Sequence, residues 1–207
     1  ESPNSPFTEE ALIMRAEVEF NQQQFAKALV SYKMLMEKAT TTDNRVLAST
    51  GTLRSAYLSQ NDIETIHAAT ALLAEAKLSP ELKNEALYFR SKAYTNQKAD
   101  KKAMDDLREL AKDTRNSYGA EAKYQIAQAL YNNKEYPAAE KLLLEYIDQS
   151  TPHAYWLARS FILLSDVYVA TGKELDARQY LLSLQQNYHA NDNIEGMIAT
   201  RLKKLNK

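Results

Sequence analysis

Apolar and polar positions recur along the chain at spacings of three and four, as on an amphipathic helix, and that pattern itself repeats on a longer interval. A small or apolar residue returns at Ala28, Ile66, Ala103, Ala139 and Ala177, in steps of 38, 37, 36 and 38 residues. Four positions after each stand Tyr32, Thr70, Leu107, Leu143 and Leu181, and three beyond those Leu35, Leu73, Leu110, Tyr146 and Leu184. Twelve positions before it lie Ala16, Arg54, Ser91, Ala127 and Ser165, and nine before it Glu19, Tyr57, Tyr94, Leu130 and Tyr168. Offsets of three and four share one helical face, so each unit reads as two helices with facing apolar stripes. A period of this length marks a helical solenoid whose building block is a helix pair.

The pattern predicts all-α structure, with helix pairs at 8–21 and 24–38, 44–59 and 62–77, 80–96 and 99–113, 118–132 and 136–148, and 152–171 and 174–188. The repeats then span about 8–38, 44–77, 80–113, 118–148 and 152–188 of a single solenoid covering 1–207. Ser5-Pro6, Ser79-Pro80 and Thr151-Pro152 each pair a capping hydroxyl with a proline at the first helical position, where its missing N–H costs nothing. Short polar turns, among them Asn21-Gln22-Gln23 and Thr171-Gly172-Lys173, join the helices of each pair. Gly172 suits a left-handed turn. Gly51 falls where the first helix of the second repeat should run, so either that helix starts late, the preferred reading, or a backbone approaches closely there.

A last helix, about 192–206, has Ile194, Met197, Ile198, Leu202 and Leu205 on one face and charges elsewhere, as a capping helix should. The N-terminus shows no such cap, so the chain reads as the C-terminal part of a longer array.

Composition narrows the function. Net charge is −1, from 26 Lys+Arg against 27 Asp+Glu, without the basic excess that neutralises nucleic-acid phosphates. There is no cysteine, which removes disulfides, thiolate zinc sites and thiol nucleophiles together. No window reaches the roughly 20 apolar residues of a transmembrane span. His67, His153 and His189 stand far apart with no ligand spacing, and no nucleophile triad, phosphate loop or dinucleotide fingerprint occurs. The expectation is therefore a non-catalytic protein with no cofactor and no metal.

The run 127–143, Ala-Gln-Ala-Leu-Tyr-Asn-Asn-Lys-Glu-Tyr-Pro-Ala-Ala-Glu-Lys-Leu-Leu, resembles a tetratricopeptide repeat (TPR) across its inter-helix turn, and so does 165–181. Phe25-Ala26-Lys27-Ala28 and Tyr32 repeat the theme. The resemblance covers nearly the whole chain and implies a right-handed α-solenoid of about five TPR-like pairs plus the cap. The second repeat looks degenerate, with Arg54, Ile66 and Thr70 in its key places. The segment Ser117–Tyr124 is similar to repeats in bacterial cell-envelope proteins, which points to the periplasm or outer-membrane periphery and to a structural role in an envelope assembly as the alternative function.

The resemblance further implies a concave groove lined by first helices, holding a protein or peptide segment. The residues expected to face it are Glu17, Phe20, Glu85, Tyr88, Lys92, Glu121, Tyr124, Gln128, Tyr131 and Arg159. Tyr88 and Tyr124 occupy equivalent places and offer rigid contact area, or else cover the seams between repeats. The glutamates would tilt the groove negative, favouring a basic or neutral segment. The Lys, Asn and Arg that grip a terminal carboxylate in chaperone adaptors of this family are mostly replaced by Glu, Tyr, Ser and Gln. Trp156 is expected to pack against the neighbouring repeat.

Overall fold

The structure, a computed structural model, describes residues 6–149 and 151–205, with side chains from residue 8 onward. These residues form α-helices joined by short loops, with no strand among them. The helices are α1 (Pro6–Asn21), α2 (Phe25–Lys38), α3 (Thr42–Leu58), α4 (Asp62–Leu73), α5 (Pro80–Asn96), α6 (Asp100–Leu110), α7 (Ser117–Asn132), α8 (Tyr136–Ile147), α9 (Ala154–Ala170), α10 (Glu174–Asn187) and α11 (Ile194–Leu205). Packing divides the chain into two compact units, with the boundary after Asp106 inside α6.

In the first unit, consecutive helices from α1 to α5 pack on one another, and the first helices α1, α3 and α5 also touch in turn. The second unit repeats the scheme from α7 to α11, with α7, α9 and α11 in sequence. Within each unit, α2, α4, α8 and α10 each pack against the first helices on either side. Alternating helix pairs of this kind make an α-solenoid of TPR-like repeats.

One local device sets the period. Gln23, Gln60, Lys98, Lys134 and Gly172 all adopt positive φ, between 56° and 76°. At each, two hydrogen bonds close the preceding helix: Gln24 N–H reaches the Glu19 carbonyl at 2.8 Å while Gln23 N–H reaches Phe20 at 2.9 Å. The same double closure recurs at Asn61, Ala99, Glu135 and Lys173. This left-handed C-cap satisfies carbonyls the helix end would otherwise strand and turns the chain back on itself. Only Gly172 adopts it free of Cβ strain; for the other four it costs on the order of 1 kcal/mol each.

That turn corrects the sequence register of the second repeat. Five residues after each left-handed position stand Ala28, Thr65, Ala103, Ala139 and Ala177, so Thr65 holds the place assigned to Ile66. The packing columns shift with it: Leu53, Thr65, Ala69 and Leu72 are buried, whereas Thr70 is exposed and Arg54 sits on the ion-pairing face. In this register the repeat departs from the others at Leu53 and Thr65 rather than at Arg54, Ile66 and Thr70. Its Thr65 hydroxyl is satisfied by donating to the Asn61 carbonyl at 2.9 Å, which lets a polar residue stand where alanine is usual.

Close approach between helices is decided by the small residues. Ala16, Leu53, Ser91, Ala127 and Ser165 form one fully buried column on the first helices. Gly51 lies well inside α3, which begins at Thr42, so the late start expected from sequence does not occur. A Cβ there would sit 2.4 Å from the Tyr32 ring. Glycine is required because that ring lies on the helix backbone. Gly119, in the first turn of α7, is tighter: a Cβ would come within 2.0 Å of the Asp113 carbonyl oxygen and 2.7 Å of that of Leu110.

Two capping expectations also resolve. Ser79 caps α5 by accepting from Leu82 N–H at 3.2 Å, with Pro80 behind it. Thr151 does not cap α9, which starts at Ala154 with His153 at the N-cap; its hydroxyl instead donates to the Thr114 carbonyl at 3.0 Å. Ser5 lies outside the described residues. At the chain's end, α11 buries Ile194 and Ile198 against Ala158, Ile162, Leu181 and Leu184. Fully burying each such aliphatic side chain contributes about 1.5–3 kcal/mol.

Candidate partner-binding face

The residues expected to line a groove all lie on first helices, at columns the repeat makes equivalent. One column runs Glu85, Glu121, Arg159; a second Tyr88, Tyr124, Ile162; a third Arg54, Lys92, Gln128, Asp166. Glu17, on α1, is the first member of the third. On a helix, members of these columns sit three and four residues apart and so share a face.

In the first unit, Glu17 is exposed and Phe20 is half-buried. Phe20 turns inward, its ring 5.3 Å from Phe25 and 6.5 Å from Tyr32, both edge-on, so it serves the core. Glu85 accepts two hydrogen bonds from Arg54, at 2.7 Å from Nε and 2.8 Å from Nη2, a two-pronged pair that joins α3 to α5. The negative tilt expected from Glu85 is therefore met by a cation in the protein. Lys92 lies with its ammonium 4.9 Å from the Tyr88 ring centre, a cation–π contact on a half-buried aromatic. Arg90, on another side of α5, grips buried Asp106 through Nε at 2.9 Å and Nη2 at 2.7 Å. The Asp106 hydrogen bonds and charge hold the Arg90 guanidinium above its usual pKa, against the effect of burial.

The second unit arranges the same columns differently. Arg159 donates from Nη2 to the Tyr124 hydroxyl at 2.7 Å and from Nη1 to the Tyr155 hydroxyl at 3.0 Å. Its guanidinium also stacks 4.8 Å from the Tyr124 ring centre. Tyr124 passes its own proton to Gln128 at 2.9 Å, and Gln128 donates to Asn132 at 3.1 Å. Tyr155 donates to Asn193 at 3.3 Å, tying α9 to the approach of α11. Burial works to lower the Arg159 pKa, but the bonds to Tyr124 and Tyr155 outweigh it and the net direction is upward.

Tyr124 is itself only 7% exposed, packed 5.5 Å from Trp156. Of the two aromatics read as equivalent, it fills a seam and offers a partner little more than its hydroxyl, whereas Tyr88 is half-buried. Trp156 packs across the same seam, as expected. Glu121 accepts from Gln125 at 2.6 Å along its own helix. Tyr131 borders a cavity of about 470 Å³ that Asp166, Val169, Arg201 and Lys204 also line. There Arg201 holds Asp166 by two bonds of 2.7 Å, fastening α11 to α9.

Sequence reading missed Arg54, Tyr155 and Arg201 as members of this face. A signal was present: the pairs Arg54–Glu85, Tyr124–Arg159 and Asp166–Arg201 are each separated by 31 or 35 residues, close to one repeat, which sets them side by side on adjacent first helices.

By fold, then, the protein is a TPR-like α-solenoid. A solved kinesin light chain with nearly identical TPR-like repeats from Podosopora anserina superposes with a TM-score of 0.59 at 13% identity, over 94% of this chain and 95% of that one. A tetratricopeptide repeat protein from Parabacteroides merdae ATCC 43184 gives a TM-score of 0.57 at 17% identity, over 99% of this chain and 80% of that one. At such identities the likeness is one of fold. No protein-family model and no curated protein matches the sequence.

Proposed function

We propose that the protein is a non-catalytic interaction scaffold that holds a segment of a protein partner against the face of its first helices. The observation that carries this reading is the set of polar and aromatic columns on that face. Glu85, Tyr88, Lys92, Glu121, Gln128, Arg159 and Asp166 recur there at helical spacing, all half-buried, while the columns beside them are filled by core residues. Tyr88, Lys92, Gln128 and Tyr131 stand on this face beside the packing columns and are the side chains a partner would meet. Rigid aromatic rings interleaved with polar groups supply contact area at low entropic cost.

Hydrogen exchange on the full chain, with and without a peptide selected from a displayed random library, tests the proposal. Protection of α5, α7 and α9, together with at least tenfold weaker binding to a Tyr88→Ala/Lys92→Ala variant of unchanged melting temperature, is the expected result. Protection confined to the second helices α2, α4, α6, α8 and α10 would overturn it.

A further inference from the structure

Two second helices and the first helix between them enclose a groove in each unit. One of about 530 Å³ lies among α2, α3 and α4, and one of about 540 Å³ among α6, α7 and α8. The repeat makes their linings equivalent, yet the charges differ. Where the first groove has Glu37, Ser49, Glu64 and His67, the second has Lys112, Lys123, Ala138 and Lys141, and Arg108 stands in the place of Lys33. The first is closed by its own ion pair, Lys33 Nζ donating to Glu64 at 2.9 Å. Ala138 removes that carboxylate from the second, and Glu145 is the one acid among the described residues that line it. The chain as a whole carries a net charge of −1, so this basic excess is local.

Lys123 stands at the centre of the difference. It is half-buried and makes no hydrogen bond or ion pair with any described residue. Lys112 pairs with Glu109, and Lys141 lies 4.0 Å from Glu145. The floor around Lys123 is aliphatic: Ile126 and Leu130 follow it at helical spacing on α7, and Leu142 comes from α8, all half-buried. An anion would relieve the unpaired ammonium, while an apolar chain would cover the floor.

The lining narrows the ligand further. A phosphate monoester carries about −1.5 to −2 charges near neutral pH, so it uses several cations where a carboxylate uses one. Lysines, as rotatable point charges, suit it. No aromatic ring is among the described lining residues, so a base or other flat ring finds no stacking surface. None of the large apolar side chains exposed on the described surface lies on α6, α7 or α8, so this side has no wedge to enter a bilayer. A recessed groove with a cationic rim and an aliphatic floor fits one amphiphilic molecule.

We propose that the groove among α6, α7 and α8 binds a single-chain alkyl phosphate, its phosphate on Lys123 and its chain along Ile126, Leu130 and Leu142. The site is independent of the partner-binding face, because Lys123, Ile126 and Leu130 share one side of α7 and Tyr124, Gln128 and Tyr131 another.

Titration calorimetry of the full chain with monomeric decyl phosphate tests the proposal. One molecule should bind, with hydrogen-exchange protection in α6, α7 and α8, and decanol and inorganic phosphate should each bind at least tenfold more weakly. Lys123→Met keeps the length of the side chain without its charge. Ala138→Glu places at an exposed site the carboxylate that Glu64 supplies to the first groove. Each should weaken decyl phosphate at least tenfold at an unchanged melting temperature. Absence of binding, protection elsewhere, or equal affinity for both variants would overturn the inference. So would capture by phosphatidic acid vesicles, or by an oligoglutamate peptide, without binding of decyl phosphate; the groove would then belong to a membrane surface or to an acidic protein segment.

Discussion

The seam between α3 and α5 and the seam between α7 and α9 are built from the same two columns, yet they treat charge in opposite ways. In the first, Arg54 and Glu85 meet in a two-pronged ion pair and the columns are electrically closed. In the second, Arg159 is cradled by the hydroxyls of Tyr124 and Tyr155 and pairs with no carboxylate among the described residues. Packing does not require either solution, because both seams rest on buried small and apolar columns behind the charges. Repeat proteins can therefore vary these positions at little cost to folding.

The contrast can be broken most decisively at Arg90. Asp106 is 5% exposed and Arg90 is its partner, so Arg90→Met should strand a buried carboxylate and cost about 3–5 kcal/mol in urea unfolding. Arg159→Met should cost only about 1 kcal/mol, because both phenols keep other hydrogen-bond partners. Equal losses for the two variants would make Arg159 a structural tie and erase the distinction.

Between those extremes lie the glycines. Gly119→Ala drives a methyl group into backbone oxygens and should cost about 3 kcal/mol. Gly51→Ala meets a tyrosine side chain rather than backbone and should cost about 2 kcal/mol. Thermal melts of the two variants rank the tightness of the two units' seams. The smallest effect is a gain: Lys134→Gly relieves the strain of a φ of 62° and should stabilise the second unit by about 0.5–1 kcal/mol, whereas Gly172→Ala should lose a similar amount. A melt in which Lys134→Gly is destabilising would show that its side chain contributes more than its backbone strain costs.

Most of the architecture was legible in the sequence because a solenoid writes its packing into local periodicity. The helix boundaries of α5 and the turn at Gly172 follow from capping residues that act within a few positions of themselves. The second repeat was legible only to within one residue. Ile66 is apolar and Thr65 is not, so hydropathy chose the wrong member; the left-handed turn at Gln60 and the hydrogen bond from Thr65 to Asn61 set the true register. Phe20 and Tyr124 were read as groove residues since their helical phase allows it, but ring contacts with Phe25, Tyr32 and Trp156 draw both into the packing.

The sequence by itself determined that this protein is a stack of paired helices, because amphipathic spacing and turn chemistry are properties of neighbours along the chain. The tertiary structure decided why Gly51 is glycine and which charges meet a partner across a seam. Tyr32 reaches Gly51 and Arg54 reaches Glu85 from a different helix, whereas Arg159 meets the Tyr124 phenol across its seam. Whether a charge is met depends on what lies one repeat away in space, and helix periodicity alone does not fix that pairing.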